Sequence, residues 1–131
     1  MNDEQRNDLV KHRMERANDT LNEIGILLQN QFYNNAVNRL YYACFYAVSA
    51  LLVSKEIQSK THSGTKQMFG LHFVKTGIVS STSGSFYTDI FTLRQTGDYD
   101  DYVVFEKEEL VSLLSSARNL LKEIEQIIAQ K

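Results

Sequence analysis

The most constraining feature of this chain is a stretch over residues 35–53 that contains no glycine, no proline and no turn signal. The stretch is apolar on almost every side and too long for an ordinary strand, so it predicts a helix that neighbouring elements bury. Arg39 lies inside this stretch. Because burying an unpaired guanidinium is costly, Arg39 must face either an acidic partner or a solvent-filled cleft.

A stripe of polar side chains runs along the same helix. Its members recur at alternating intervals of four and three residues, which places them on one face: Asn35, Arg39, Tyr42, Tyr46 and Ser49. Two interpretations stay open. The stripe lines a binding cleft, or it holds helices in register by pairing Arg39 with Asp98 or another carboxylate.

Two longer segments carry narrower apolar seams. Apolar residues recur at intervals of four and three over residues 10–28 and again over residues 110–128, with charged residues between them. Such seams are typical of outer helices that pack against a more apolar centre in an antiparallel bundle.

Two shorter helices are predicted between the seams. One runs from about Ser63 to Gly77 and the other from Phe86 to about Gly97, since glycine often ends a helix. We interpret the serine-rich residues 80–85 and the run 103–105 as loops. With no proline anywhere in the chain, the sequence predicts a single all-α domain over residues 1–131. Its expected form is an up-and-down helical bundle of about five helices, the second at the centre.

The composition narrows the class of protein. A single cysteine, Cys44, leaves no disulfide framework and no metal-type cysteine spacing, so we expect a buried thiol, a reducing cytoplasm, and no metal or cofactor. Residues 2–6 are not a signal peptide, and the uncharged run 40–54 is too short and too rich in tyrosine to cross a bilayer. The net charge of −2 means that any RNA binding must depend on a local patch.

Two short segments are candidate anion sites. Lys60, Thr61, His62 and Ser63 precede a predicted helix, whose free amides and dipole favour an anion, although helix capping by Thr61 or Ser63 explains the hydroxyls equally well. Arg94 lies on the last turn of a helix and is followed by carboxylates. It can bind phosphate, or it can pair with Asp98 or the helix C-terminal carbonyls.

Four motifs in this order resemble the small bacterial HEPN domains over nearly the whole chain. They are Arg39-x-Tyr41-Tyr42-Ala43-x-Phe45, Lys60-Thr61-His62-Ser63-Gly64, Phe73-Val74-Lys75-x-Gly77 and Arg94-x-x-Gly97-Asp98-Tyr99. The resemblance implies a four-helix-bundle core, usually a homodimer. It also implies a relationship to ribonuclease toxins that pair with minimal nucleotidyltransferase antitoxins in toxin–antitoxin or defence systems.

The ribonuclease signature of that family is an arginine followed, after four to six residues, by histidine. Arg94 occupies the matching place, but Tyr99, Asp100 and Asp101 stand where histidine should be. Histidine suits proton transfer near neutral pH, whereas an aspartate is mostly ionised and cannot readily act as an acid. We therefore expect no ribonuclease activity of the usual kind.

Tyrosines beyond this motif suggest a modification site. In some toxin pairs of the superfamily, the partner enzyme attaches adenylate to a tyrosine there, and Tyr102 is the nearest match, with Tyr99 second. Both tyrosines could instead pack the connector onto the bundle.

The sequence thus predicts a non-catalytic binding or partner-interaction module. Its polar cleft would bring together Arg39, His62, Arg94 and Asp98, with Tyr42, Lys60, Thr61 and Ser63 as further lining residues. The ligand would be a nucleotide, RNA phosphate or the surface of a nucleotidyltransferase. The alternative is a divergent metal-independent ribonuclease in which Arg94 stabilises the phosphorane and Asp98, Asp100 or His62 moves protons.

Overall fold

The computed structural model describes residues 1–99 and 103–130, and within these ranges it contains helices and no strand. The helices are α1 (Asp3–Asn22), α2 (Ile24–Gln29), α3 (Tyr33–Ser54), α4 (His62–Phe69), α5 (Ser81–Tyr99) and α6 (Lys107–Ala129), with a π-helical turn, Gly70–Val74, continuing α4. Only Glu23, itself helical in its dihedrals, separates α1 from α2. Counted as continuous segments within residues 1–99 and 103–130, the helices number five, and the all-α prediction is confirmed.

The central element is α3, which contacts α1, α2, α4, α5 and α6. Four of its alanines, Ala36, Ala43, Ala47 and Ala50, are completely buried, and small side chains let neighbouring helices approach closely. By length and composition alone α3 could cross a membrane, but 61% of its most apolar window is buried inside the bundle. This burial identifies α3 as the core helix that the sequence predicts.

The outer helices bury the seams that the sequence predicts. Of the predicted seam positions, Ile128 is partly buried. The others are buried: Val10, Met14, Ala17, Leu21, Ile24, Leu28, Leu110, Leu114, Ala117, Leu121, Ile124 and Ile127. Capping boxes at Asn2 and Glu106 begin α1 and α6, and such caps satisfy amides that a helix N-terminus leaves free.

The serine-rich residues 80–85 are not a loop, because α5 begins at Ser81. Glu123 of α6 accepts hydrogen bonds from the Ser80 amide, the Ser80 hydroxyl and the Ser83 hydroxyl. The prediction was wrong because this start is stabilised by a carboxylate that is distant in sequence. The end of α5 also differs: the helix continues past Gly97 to Tyr99, and Gly97 instead gives room to the Phe105 ring.

Polar pairs join α1 to the antiparallel α3 and to the turn that follows it. From one pair to the next, the residue number falls on the α1 side by as much as it rises on the α3 side. The pairs therefore form one continuous seam. This polar seam consists of Glu23 with Arg39 at 3.1 Å, Arg16 with the Tyr46 ring at 4.3 Å, Arg13 with Ser49 at 2.6 Å, and Arg6 with Glu56 at 2.8 Å. The stripe that the sequence shows on α3 therefore faces α1 along much of its length.

Replacing Gly84 should destabilise the bundle, whereas the same change at Gly25 should not. A Cβ at Gly84 would lie 2.5 Å from a methyl of Val74, but at Gly25 it would meet nothing within 4 Å. We expect Gly84→Ala to lower the free energy of unfolding by about 1–3 kcal/mol. We expect Gly25→Ala to raise it by about 0.5–1 kcal/mol, since alanine favours helix. Urea unfolding of both variants measures the difference, and equal effects would contradict the close packing of α5 on the π-helical turn.

Glu123→Gln should destabilise the protein near neutral pH and have little effect at low pH. Burial alone would raise the pKa of Glu123, but the hydrogen bonds from Ser80 and Ser83 outweigh it and hold the pKa below its ordinary value. The stabilisation is therefore complete above the unfolded-state pKa of about 4.3 and is lost as pH falls through the lower folded-state pKa. We expect a loss of about 1–2 kcal/mol in urea unfolding at pH 7.

The matched control is Glu15→Gln, which makes the same charge change at an exposed side chain. Its unfolding free energy should stay close to that of the parent at both pH values. An effect of Glu123→Gln that persists undiminished at pH 3 would contradict the role of the Glu123 charge.

Candidate functional site

His62 begins α4 and lies against an aromatic face of α3. Thr61 is the N-cap of this helix, where its hydroxyl accepts a hydrogen bond from the Gly64 amide at 2.8 Å. The His62 ring packs on Phe45 with 4.4 Å between ring centroids, and on Tyr41 with 5.6 Å. The cap therefore places the imidazole among aromatic rings and leaves it half-buried.

A hydrogen bond of 2.7 Å joins the Tyr41 hydroxyl to Nδ1 of His62. Burial raises the pKa of Tyr41 to about 12, so the hydroxyl keeps its proton. Burial and, next, the charge of Arg94 lower the pKa of His62, so the imidazole is neutral at pH 7. Because the hydroxyl keeps its proton and Nδ1 of a neutral imidazole can accept a hydrogen bond, we assign Tyr41 as the donor to Nδ1. The imidazole proton then lies on Nε2.

Arg94 of α5 lies over the same aromatic face. The centre of its guanidinium is 4.9 Å from the Tyr41 ring centroid and 5.8 Å from that of Tyr42. Its Nη1 donates to Asp98 at 3.2 Å, its side chain is 15% exposed, and its buried Nε has no hydrogen-bond partner among the described residues. Contact with aromatic faces and one carboxylate offset the cost of desolvating this charge. The predicted pairing of Arg94 with Asp98 is thus present.

We name Tyr41, Tyr42, His62, Arg94 and Asp98, which come from α3, α4 and α5, the Arg94 cluster. We expected His62, Arg94 and Asp98 to meet, and the charge of Arg94 does reach His62. Tyr41 was missed, although Tyr41 and Phe45 are one turn apart and therefore share a face.

Arg39 has other partners, which corrects the expectation that Asp98 would pair with it. Its Nε donates to Glu23 at 3.1 Å and its Nη2 to Thr20 at 3.4 Å, both in the region where α1 ends. The error has a simple cause: the antiparallel α1 brings Glu23 beside Arg39, whereas Asp98 is occupied by its own helix neighbour Arg94. Arg39 thus belongs to the polar seam.

The other predicted lining residues are dispersed. Ser63 is exposed, and Lys60 lines a separate groove between α1 and the end of α3. Tyr102 and Asp100 lie outside the described residues, as does the side chain of Tyr99. Across the ranges that the structure describes, no group of three or more His, Cys, Asp or Glu side chains could hold a metal ion.

Two buried groups next to the cluster are held in their protonated forms. Burial raises the pKa of the Cys44 thiol, which agrees with the expected structural cysteine. Burial also raises the pKa of Tyr87, whose hydroxyl has no hydrogen-bond partner in the described ranges and whose ring lies 6.2 Å from that of Tyr41. Neither group is suited to act as a base or nucleophile near neutral pH.

Partly buried aromatic rings extend the cluster along α3. Tyr42, Phe45 and Tyr46 are only partly buried, and their ring centroids lie 6.0–6.3 Å apart. Arg16 covers Tyr46 at one end, while Arg94 lies over Tyr41 and Tyr42 at the other. We name these three rings the aromatic row. The row combines flat apolar faces with two cations.

Arg94→Gln should raise the pKa of His62, because it removes the positive charge that disfavours the imidazolium. The pKa should remain below the ordinary value of about 6.5, since burial, the larger cause, persists. An NMR titration of the His62 ring protons measures the change. Arg118→Gln, which removes an exposed arginine of α6, should leave the His62 titration as it is. An unchanged His62 pKa in Arg94→Gln would show that the charge of Arg94 does not affect the imidazole.

Comparison with known proteins shows the family. The model of the HEPN domain matches residues 10–127. A "UPF0332 protein" of Thermotoga maritima is 41% identical over 120 residues, which are 92% of this chain and 91% of that protein.

Two proteins of Methanocaldococcus jannaschii are also similar. "Putative toxin MJ0142" is 36% identical over 90% of this chain and 80% of its own length. "Putative toxin MJ0605" is 34% identical over 88% of this chain and 90% of its own length. Since the family model covers most of the chain and these relatives align over nearly all of it, the chain belongs to the HEPN domain family.

Proposed function

We propose that this chain is a HEPN-type binding module that holds single-stranded RNA or a nucleotide on the aromatic row. The observation that carries the proposal is the row of partly exposed rings, Tyr42, Phe45 and Tyr46, with an arginine guanidinium at each end. A local cationic patch of this kind is what a chain with a net charge of −2 needs in order to bind an anionic polymer.

The chemistry of the row suits unpaired nucleotides. Bases stack on aromatic side chains irrespective of their sequence, and each stacked base contributes about 1–3 kcal/mol to binding. The guanidinium groups of Arg16 and Arg94 add contacts with phosphates or with base faces. Arg94 uses one nitrogen for Asp98, and 15% of its side chain is exposed.

The proposal does not include RNA cleavage of the usual HEPN kind. No histidine follows Arg94 at the expected spacing. Asp98 is engaged by Arg94 at 3.2 Å, and a carboxylate paired with a guanidinium is poorly placed to supply a proton. Without a group that titrates near neutrality at this position, the proton-transfer contribution of roughly 10²–10⁴-fold would be absent.

One observation favours a second candidate, a divergent ribonuclease. His62 lies close enough to Arg94 for the charge to lower its pKa, and Nε2 of His62 makes no hydrogen bond to a described residue. In that alternative, Arg94 stabilises the phosphorane and His62 exchanges the proton. The cytoplasmic location expected from the sequence would suit either function.

The proposed partners follow from the family. Two relatives carry the word toxin in their names, which supports a toxin-like role here. We extend the proposal to a homodimer and to a minimal nucleotidyltransferase partner, because large apolar side chains outside the aromatic row, such as Ile26, Phe32 and Ile78, are exposed, and exposed apolar surface marks protein interfaces. Light scattering of the purified protein, alone and mixed with a candidate partner, tests both.

Tyr42→Ala should weaken binding of a short fluorescently labelled single-stranded RNA by about tenfold, from the loss of one stacked base. Arg94→Gln and Arg16→Gln should also weaken binding, and more salt should weaken binding to the parent protein. Fluorescence anisotropy measures the affinities, with Arg118→Gln as the matched control for loss of one positive charge. Affinities that are equal in all four variants would refute the proposal.

The same RNA, recovered after incubation, distinguishes binding from cleavage. We expect intact RNA with the parent protein. Cleavage that disappears in both His62→Ala and Arg94→Ala would establish the ribonuclease alternative and replace the binding proposal.

A further inference from the structure

A groove of about 460 Å³ lies between α1, the C-terminal part of α3 and the segment 56–60. It is separate from the aromatic row, and its lining includes none of the Arg94 cluster. Five apolar side chains contribute to it: Met1, Leu9, Leu52, Val53 and Ile57. Its volume falls within the range of about 300–1,000 Å³ that small-molecule sites occupy.

The cations of this groove are not neutralised equally. Arg6 is held by two carboxylates, Asp3 at 2.6 Å and Glu56 at 2.8 Å. Arg13 has only the neutral hydroxyl of Ser49, at 2.6 Å, among its described partners. Lys60 is exposed and makes no ion pair or hydrogen bond to the residues that the structure describes. The positive charges of Arg13 and Lys60 therefore lie beside apolar side chains and form no ion pair with a described carboxylate.

The segment that closes the groove has a defined conformation. The Ile57 amide bonds to the Leu52 carbonyl at 2.9 Å and the Glu56 amide to that of Val53 at 3.0 Å, which ends α3 in a tight turn. Glu56 has a φ of 59°, a conformation that glycine adopts more readily. The ion pair with Arg6 anchors this strained residue to α1. The turn that lines the groove therefore has a specific backbone conformation.

We propose that this groove binds a small anion with an apolar body, such as an alkyl phosphate or a medium-chain carboxylate. The anionic group lies between Arg13 and Lys60, and Arg13 retains guanidinium donors for it beyond the one used by Ser49. The apolar body contacts Leu9, Val53 and Ile57, where it replaces water. Glu56 does not repel the ligand strongly, because its charge is already opposed by Arg6.

Hexyl phosphate is the probe, added to the full chain in a calorimetric titration, with hexanoate as a second arm that separates phosphate from carboxylate recognition. We expect saturable binding of one equivalent, tighter than that of inorganic phosphate or hexanol. Lys60→Gln and Arg13→Gln should each weaken it by about tenfold, the effect of losing one charge-assisted contact. Lys122→Gln, at an exposed lysine of α6, should bind as the parent does.

NMR shifts of backbone amides locate the site, and we expect the largest changes at Leu9, Val53 and Ile57. If circular dichroism shows that Arg13→Gln is unfolded, the affinity of Lys60→Gln, a change at an exposed residue, tests the proposal alone. The proposal is overturned by any of four results: no saturable binding, equal affinity for hexanol, unchanged affinity in Lys60→Gln, or shifts that map away from the groove.

Discussion

The burial of α3 against every other helix is the interaction on which the remaining structure depends. Completely buried alanines let the surrounding helices approach, and larger side chains such as Leu40, Tyr41 and Leu51 fill the space between them. Removing this much apolar surface from water is the main favourable contribution to folding. The outer helices α1 and α6 each have only one apolar stripe, so they are stable mainly because α3 provides a surface on which to bury it.

A helix buried on nearly all sides leaves few places for charge, and the arginines are arranged accordingly. Arg39, Arg13 and Arg6 lie at the interface of α1 with α3 and the turn after it, where each meets a carboxylate or a hydroxyl. Arg94 lies against tyrosine faces with Asp98 beside it. Both solutions avoid an unpaired buried charge. They also create the two surfaces that carry our proposals, the aromatic row and the groove near Lys60.

The site could be predicted only in part. The pairing of Arg94 with Asp98 could be predicted from the sequence, because residues four apart on a helix are neighbours. His62 could be singled out by its place at a helix start, yet its partner Tyr41 lies 21 positions away, and no local rule connects the two. Arg39 was wrongly expected to meet His62 and Asp98. Its pairing with Glu23 depends on the antiparallel register of α1 and α3, and the spacing of residues within one segment does not specify that register.

The sequence by itself determined the all-α class, the central place of the second long helix, the seams of the outer helices and the family resemblance, because helical periodicity and motif order are local properties of a chain. The tertiary structure decided which side chains meet across helices. The start of α5 depends on Glu123 of α6, and the neutral state of His62 depends on burial and on Arg94. These features arise from distances through space between residues far apart in the chain, and only the packed bundle sets those distances.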